Sequence, residues 1–341
     1  MYPHQIERLT EALEREGLAA VIATSAANVF YVTDFESRDA ETGAAGRFAA
    51  WAPGREALAG TAKEAPQLLN ALGVTGGRIG LDESRLTPAA RKRLTAALRG
   101  FTVVPAAAAL ATARRAKSPY EIECLGRSLW IAEEALNAVL QMLGPGVTER
   151  EAAAVYQREV VKRDATPLSL GIAFGERART GLPPPTGRAL TMGDLVKFDV
   201  GALFKGYCSS VARMAVMGEP TEPQASAVEA ILAGLEAGIA AVKPAATAGA
   251  VYEKVITRIR GAGLPDFQCD RVGHAIGLEP HEGPTLEAGE ASPFESGEVL
   301  LIDVTYFHGS WGGVSVRDTV LVTTTDSRVL NRSLHGLVVL D

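Results

Sequence analysis

No run in this chain approaches the ~20 consecutive apolar residues that span a bilayer, and the opening Met-Tyr-Pro-His-Gln-Ile-Glu-Arg lacks the apolar core of a signal peptide. A cytoplasmic protein without a membrane partner is expected. No basic run is present either, and a net charge of −6 over 341 residues removes the electrostatic footprint of a nucleic-acid binder. Cysteine is scarce. Cys124, Cys208 and Cys269 are odd in number and far apart, which fits neither a disulfide framework nor a thiolate metal knuckle; they read as buried thiols. What remains is ordinary: 47% apolar and 22% charged residues suit a globular chain long enough for two domains. Small molecules or short peptides are the better candidate partners.

Two stretches organise the rest. Gly193-Asp-Leu-Val-Lys-Phe-Asp-Val-Gly begins a run to Met217, and Gly297-Glu-Val-Leu-Leu-Ile-Asp-Val begins one to Leu321. Each reads as a β-hairpin, with β-branched and aromatic residues on both sides of a Gly-containing turn. At an offset of 104 positions Asp199 falls on Asp303, Val200 on Val304 and Arg213 on Arg317, the mark of one supersecondary unit used twice. An ionised Asp inside an apolar strand leaves water at a cost of several kcal/mol unless a positive group meets it. Two such acids at equivalent places point to a shared inward-facing site.

The remaining elements fall around these hairpins. Ile6, Leu9 and Leu13 lie at helical spacing before the strand 19–24, and further strands at 48–51, 78–81 and 101–104 alternate with helical windows at 61–72 and 88–99. That alternation predicts a small α/β domain over 1–112. Ala106 to Ala116 reads as a link to a second domain over 113–341. There, capping boxes at Ser118-Pro-Tyr-Glu121, Thr148-Glu-Arg-Glu151 and Thr221-Glu-Pro-Gln224 open helices, and Thr247 to Arg260 completes the set. Both halves run helix, helix, hairpin. A pseudo-twofold α+β domain with a central cleft follows.

The hairpins, the repeat, Arg115-Ala-Lys-Ser-Pro-Tyr-Glu-Ile-Glu123 and Gly273-His-Ala-Ile-Gly-Leu-Glu-Pro-His-Glu-Gly-Pro284 together resemble the pita-bread family of creatinases, prolidases and aminopeptidases P. Asn28-Val-Phe-Tyr-Val-Thr-Asp-Phe35 and Arg78-Ile-Gly-Leu-Asp82 resemble its α/β accessory domain. The resemblance implies a C-terminal pita-bread domain, a creatinase-type N-terminal domain, and a homodimer in which the first domain contributes Tyr31 or Arg38 to a site. For active peptidases it implies two Mn, Co or Zn ions on two Asp, one His and two Glu, with a bridging water attacking an amide before proline. Carried over one at a time, the first Asp is Asp199 and the His is His274. The second Asp, expected after Tyr207-Cys-Ser, is Ser210; the first Glu is Asp303; the last Glu is Arg317.

Charge then separates the readings. Asp199 and Asp303 give −2 and Arg317 +1, so the place carries −1, where the family balances −4 against two divalent cations. No metal is expected here, because hard cations need more oxygen ligands than remain. The Arg317 guanidinium is expected to fill the metal space and pair with Asp199, Asp303 or both; the alternative turns it outward like its repeat mate Arg213. A single weak metal on Asp199, His274 and Asp303 stays open. Creatinase works without metal through a histidine in the loop before the first hairpin, but the corresponding 165–187 has none. His4 and His335 lie near the termini and His308 in a turn, which leaves His274 and His281, with Glu282 adjacent, as proton-shuttle candidates. Arg177, Arg179 and Pro183-Pro-Pro185 either shape a pocket for an acidic ligand or form a solvent rim. Three functions stay open: a pseudoenzyme binding a peptide or small molecule; a metal-independent hydrolase of a small amide or guanidino compound, using His281 with Asp303 or Glu282; and an atypical metal-dependent Xaa-Pro dipeptidase.

Overall fold

The computed structural model describes residues 1–34, 47–333 and 335–341; Arg38 lies outside them. The chain divides into two compact units, Met1–Ser118 and Pro119–Asp341. In the first, α1 (Pro3–Glu16), β1 (Ala20–Ala23), α2 (Ala26–Thr33), β2 (Arg47–Trp51), β3 (Leu58–Thr61), α3 (Ala65–Ala71), β4 (Arg78–Leu81), α4 (Pro88–Ala97), β5 (Thr102–Pro105) and α5 (Ala107–Arg115) follow in order. The strands form one sheet in the order β3-β2-β1-β4-β5, with β1, β4 and β5 parallel. The stretch expected as a link is the helix α5, which packs on α1, with Arg8 donating to the Thr112 carbonyl. It belongs to the first unit for that reason. Tyr31, offered above to a site, is instead a core residue of this unit, 1% exposed with its hydroxyl on the Ala113 carbonyl.

The second unit carries α6 (Pro119–Met142), α7 (Glu149–Val161), β6 (Thr166–Phe174), β7 (Leu195–Phe204), β8 (Tyr207–Cys208), β9 (Val211–Met217), α8 (Glu222–Ala241), α9 (Ala248–Gly261), β10 (Arg271–Ala275), β11 (Glu282–Glu287), β12 (Val299–His308), β13 (Gly312–Val322), β14 (Ser327–Val329) and β15 (Val338–Leu340). The main path of its sheet runs β11-β10-β12-β13-β9-β7-β6. The Thr148 and Thr221 boxes form as expected, each side chain meeting the third helical residue's backbone in return for that residue's side chain. Two cores repeat the duplication: Leu129, Leu136 and Tyr156 of α6 and α7 pack on Phe198 and Val200, while Ile231, Leu235 and Val255 of α8 and α9 pack on Ile302 and Val316. The segment 165–187, expected as a loop, begins as the strand β6 paired with β7, followed by a 3-10 turn at Gly175–Arg179. Its register slips between Pro167 and Ser169 on this edge strand, the kind of place where a sheet accommodates proline. Among the described residues no helix is long and apolar enough to cross a membrane.

The two hairpins differ by one residue, and that difference sets the site. Phe204 pairs with Tyr207 around a two-residue turn, Lys205-Gly206, whose positive φ values of 47° and 78° reverse the chain tightly. His308 pairs with Gly312 around three residues. The outgoing strands therefore repeat at 104 positions (199 to 303) and the returning strands at 105 (212 to 317). A one-residue slip turns side chains to the other face of a strand. Arg213 and Arg317, equivalent by spacing, thus face opposite sides of the sheet.

Candidate functional site

Strand pairing writes the site as a row. Asp303 lies opposite Arg317 across β12 and β13, Arg317 opposite Ala212 across β13 and β9, and Ala212 opposite Asp199 across β9 and β7. Directly opposed residues share a face, so the row presents acid, guanidinium, methyl and acid to one side. With strands ~4.8 Å apart, the two acids stand three strand spacings apart, and the Arg317 side chain bridges them by reaching over the small Ala212.

Its guanidinium meets both. Nη1 donates to Asp199 Oδ1 at 2.7 Å and to Ser210 Oγ at 2.6 Å, while Nη2 donates to Asp303 Oδ2 at 2.7 Å and to Asp199 Oδ2 at 3.4 Å. Arg317 and Asp199 are each 8% exposed, so these are buried charge-assisted bonds. Burial alone works against the charged arginine, but Asp303 and Asp199 outweigh it and raise its pKa above an already high value. Arg213 does not turn outward. It is buried on the other face, donating to Asp318 Oδ1 at 2.8 Å and lying 3.8 Å from Glu133 of α6. His335 Nδ1 stands 3.2 Å from the second oxygen of Asp318.

Lys197, not singled out above, completes the charge balance. It lies two residues before Asp199 on β7, which by strand periodicity puts it on the same face. It is 1% exposed, donates to the carbonyls of Thr180 and Gly181, and sits 5.2 Å from the Phe307 ring centre. Burial lowers its pKa to about 8, with Asp199 pulling the other way, which leaves it mostly charged at pH 7. Two carboxylates at −2 then meet Arg317 and Lys197 at +2, and the site is neutral rather than −1.

The two histidines come together. His274 and His281 stack with ring centres 3.9 Å apart. His274 Nδ1 lies 2.9 Å from the Ala275 carbonyl; since a carbonyl only accepts, Nδ1 carries the proton and Nε2 is the acceptor. Burial pushes its pKa to about 4, so at pH 7 it is neutral, and burial lowers His281 as well. The Glu282 carboxylate accepts from the Glu279 backbone N–H at 3.2 Å, and His281 Nε2 faces Thr285 Oγ1 at 3.5 Å. Tyr207 turns its hydroxyl to Glu121 of α6, 3.1 Å away. Arg177 is committed to Glu149, a fully buried carboxylate that also takes the N–H groups of Phe174 and Thr186. Cys124 and Cys208 are buried free thiols, whereas Cys269 is only half-buried.

The donor set does not fit a metal. Asp199 spends both oxygens, and Asp303 one, on Arg317; Ser210 is turned to the same guanidinium. Among the described residues no group of three or more His, Cys, Asp or Glu side chains is placed to hold an ion.

The sequence profile described as Metallopeptidase family M24 matches residues 123–324. This chain belongs to that family. An uncharacterized peptidase of Bacillus subtilis is 26% identical over 265 residues, 77% of this chain and 75% of the relative. An Xaa-Pro dipeptidase of Pyrococcus furiosus is 29% identical over 224 residues, 65% of this chain and 64% of the relative. Among solved structures, an Xaa-Pro dipeptidase from Bacillus anthracis superposes with a TM-score of 0.88 at 22% identity, covering 98% of this chain and 99% of that one. A prolidase from Pyrococcus horikoshii OT3 gives 0.85 at 23%, again covering 98% and 99%. The M24 chain therefore has the pita-bread fold, with an α/β unit before it. Of its functional side chains, Lys197 was legible in principle from the period of the strand, and Ala212 only from the register.

Proposed function

We propose that this M24 member has given up two-metal amide hydrolysis and acts as a pseudoenzyme that binds a small molecule or short peptide in its central cleft. The observation that carries the reading is the Arg317 guanidinium held between Asp199 and Asp303. A metal-bound water near neutral pKa is the usual nucleophile of such sites, and here its place is filled by a side chain that neither accepts protons nor coordinates cations. Buried Asp303 Oδ1 and Arg317 Nε have no hydrogen-bond partner among the described residues, and His274 presents Nε2 as an acceptor. These groups give a polar ligand one donor and two acceptors.

Protein purified without chelator and assayed on an Xaa-Pro dipeptide, with and without Mn²⁺, is expected to release no proline and to carry no stoichiometric metal. Mn²⁺-dependent proline release would restore the metallopeptidase reading. The stacked His274 and His281 support a second one, metal-independent hydrolysis of a small amide or guanidino compound. Turnover that survives chelation and is lost in His281→Ala would favour it.

A further inference from the structure

A groove of about 1060 Å³ lies in the second unit, walled by the start of α6, the Lys205-Gly206 turn and residues 328–332. No member of the Asp199–Arg317–Asp303 cluster lines it. Arg127, Lys205, Arg328 and Arg332 line it against one acid, Glu123, a local balance of +4 and −1, or +3, on a chain whose net charge is −6. None of the four cations forms an ion pair among the described residues. The half-buried and buried Arg163, Arg177, Arg188, Arg213 and Arg317 each do. Three aromatics share the lining with them: the Arg127 guanidinium lies 4.0 Å from the Trp130 ring centre, and Lys205 Nζ lies 5.9 Å from Tyr120 and 5.7 Å from Phe204. Stacking on a ring holds an arginine by its face and leaves the donors at its edge free for an anion.

Both walls are built rather than merely apposed. Glu133, 2% exposed, takes the backbone N–H groups of Arg332 and Ser333 and the side chain of Asn331, which fixes the 331–333 wall. On the other side Ser128 of α6 bonds the Ala202 carbonyl and Ser209, and Tyr207 bonds Glu121, tying the helix to the hairpin that carries Lys205. A preformed cavity of this size, aromatic and apolar in part with a few charged groups of one sign, has the character of a small-molecule site.

We propose that this groove binds a polyanion bearing a flat ring, of the nucleotide class, with its phosphates at Arg127, Arg328, Arg332 and Lys205 and its ring against the aromatic lining. Isothermal titration of the full chain with ADP, inorganic pyrophosphate and adenosine tests it. ADP is expected to bind with an affinity that falls as salt is raised, and each half-ligand at least about tenfold more weakly, since each lacks one of the two kinds of contact. The double variant Arg127→Ala/Arg332→Ala, and separately Lys205→Ala/Arg328→Ala, should weaken ADP by about tenfold or more while melting with the parent. Absence of ADP binding at about millimolar concentration, where so many charge contacts would register, overturns the proposal. So does unchanged ADP affinity in both double variants, which would place binding elsewhere. Pyrophosphate binding as tightly as ADP overturns the ring half of the assignment.

Discussion

Replacing Arg317 by methionine keeps most of the side-chain volume and removes the charge, so it isolates the electrostatic role. Four N–H···O contacts are lost, and Asp199, 8% exposed, is left beside Asp303 with no cation at hydrogen-bond distance except through rearrangement. Removing one partner of a buried ion pair costs about 3–5 kcal/mol. In a unit the size of residues 119–341, about 2–4 °C of melting temperature corresponds to each kcal/mol. Thermal denaturation should therefore show Arg317→Met melting about 6–20 °C below the parent. The cause is separable from simple loss of packing. Asp303→Asn/Arg317→Met removes one carboxylate along with the cation, leaves Asp199 balanced by Lys197 and should recover most of the loss, because a balanced buried ion cluster and its smaller balanced replacement differ far less than a cluster and its fragment. Mn²⁺ should raise the melting temperature of the single variant and leave the parent unmoved, since only the variant presents unpaired carboxylates beside His274. A melting temperature within about 1 °C of the parent, a ΔΔG well below any buried-charge penalty, would refute the argument.

Other expectations follow from the same row. Ala212→Leu puts a branched side chain where Arg317 passes toward Asp199 and should cost about 1–3 kcal/mol in chemical denaturation, whereas Ala212→Gly should leave the Arg317 contacts intact. His274 is held neutral by burial, with a folded pKa of about 4 against about 6.5 unfolded. The unfolded chain therefore binds the proton first as pH falls, and this group withdraws about 2–3 kcal/mol of stability between about pH 6.5 and 4. His274→Gln should flatten that part of the stability profile measured by urea denaturation. Thr148→Ala, which breaks the box ahead of Glu149, should cost about 1 kcal/mol. Ser210→Asp/Arg317→Glu, with four carboxylates in the cleft, should bind Mn²⁺ by calorimetry where the parent does not, and adding Lys197→Leu should tighten that binding.

Much of the fold lay open in the sequence because its signals are local. Thr148 with Glu151 and Thr221 with Gln224 mark helix starts through side chains three residues apart, and the apolar runs around Asp199 and Asp303 mark strands by composition alone. What spacing misjudged was the returning strand of each hairpin. Arg213 and Arg317 occupy the same place in a 104-residue repeat, yet a turn of two residues in one copy and three in the other sends them to opposite faces. The partners of Arg213, which are Asp318 on the same sheet and Glu133 on a helix 80 residues upstream, are fixed by that slip. Lys197 is the opposite case. Its place on the face of Asp199 follows from a period of two, but whether a strand lysine reaches solvent or a carbonyl pair depends on the 180–181 segment crossing above it, a long-range contact that no local pattern encodes.

The two buried cations explain why the site tolerates so much change at once. In the metal-bearing arrangement implied by the family resemblance, four carboxylates balance two divalent ions. Here two carboxylates balance two side-chain cations, so neutrality is kept at half the charge density. A single substitution back toward a metal ligand breaks that balance. Arg317→Glu alone leaves three carboxylates against Lys197, a net −2 that one divalent ion offsets but two would overshoot, with Ser210 still unable to bridge. Close charges in a buried cleft interact too strongly for such an imbalance to be absorbed by solvent. Ser210, Arg317 and Lys197 therefore stand as one electrostatic unit, and the pair of ligand-restoring substitutions remains opposed by a lysine that occupies none of the family's ligand positions.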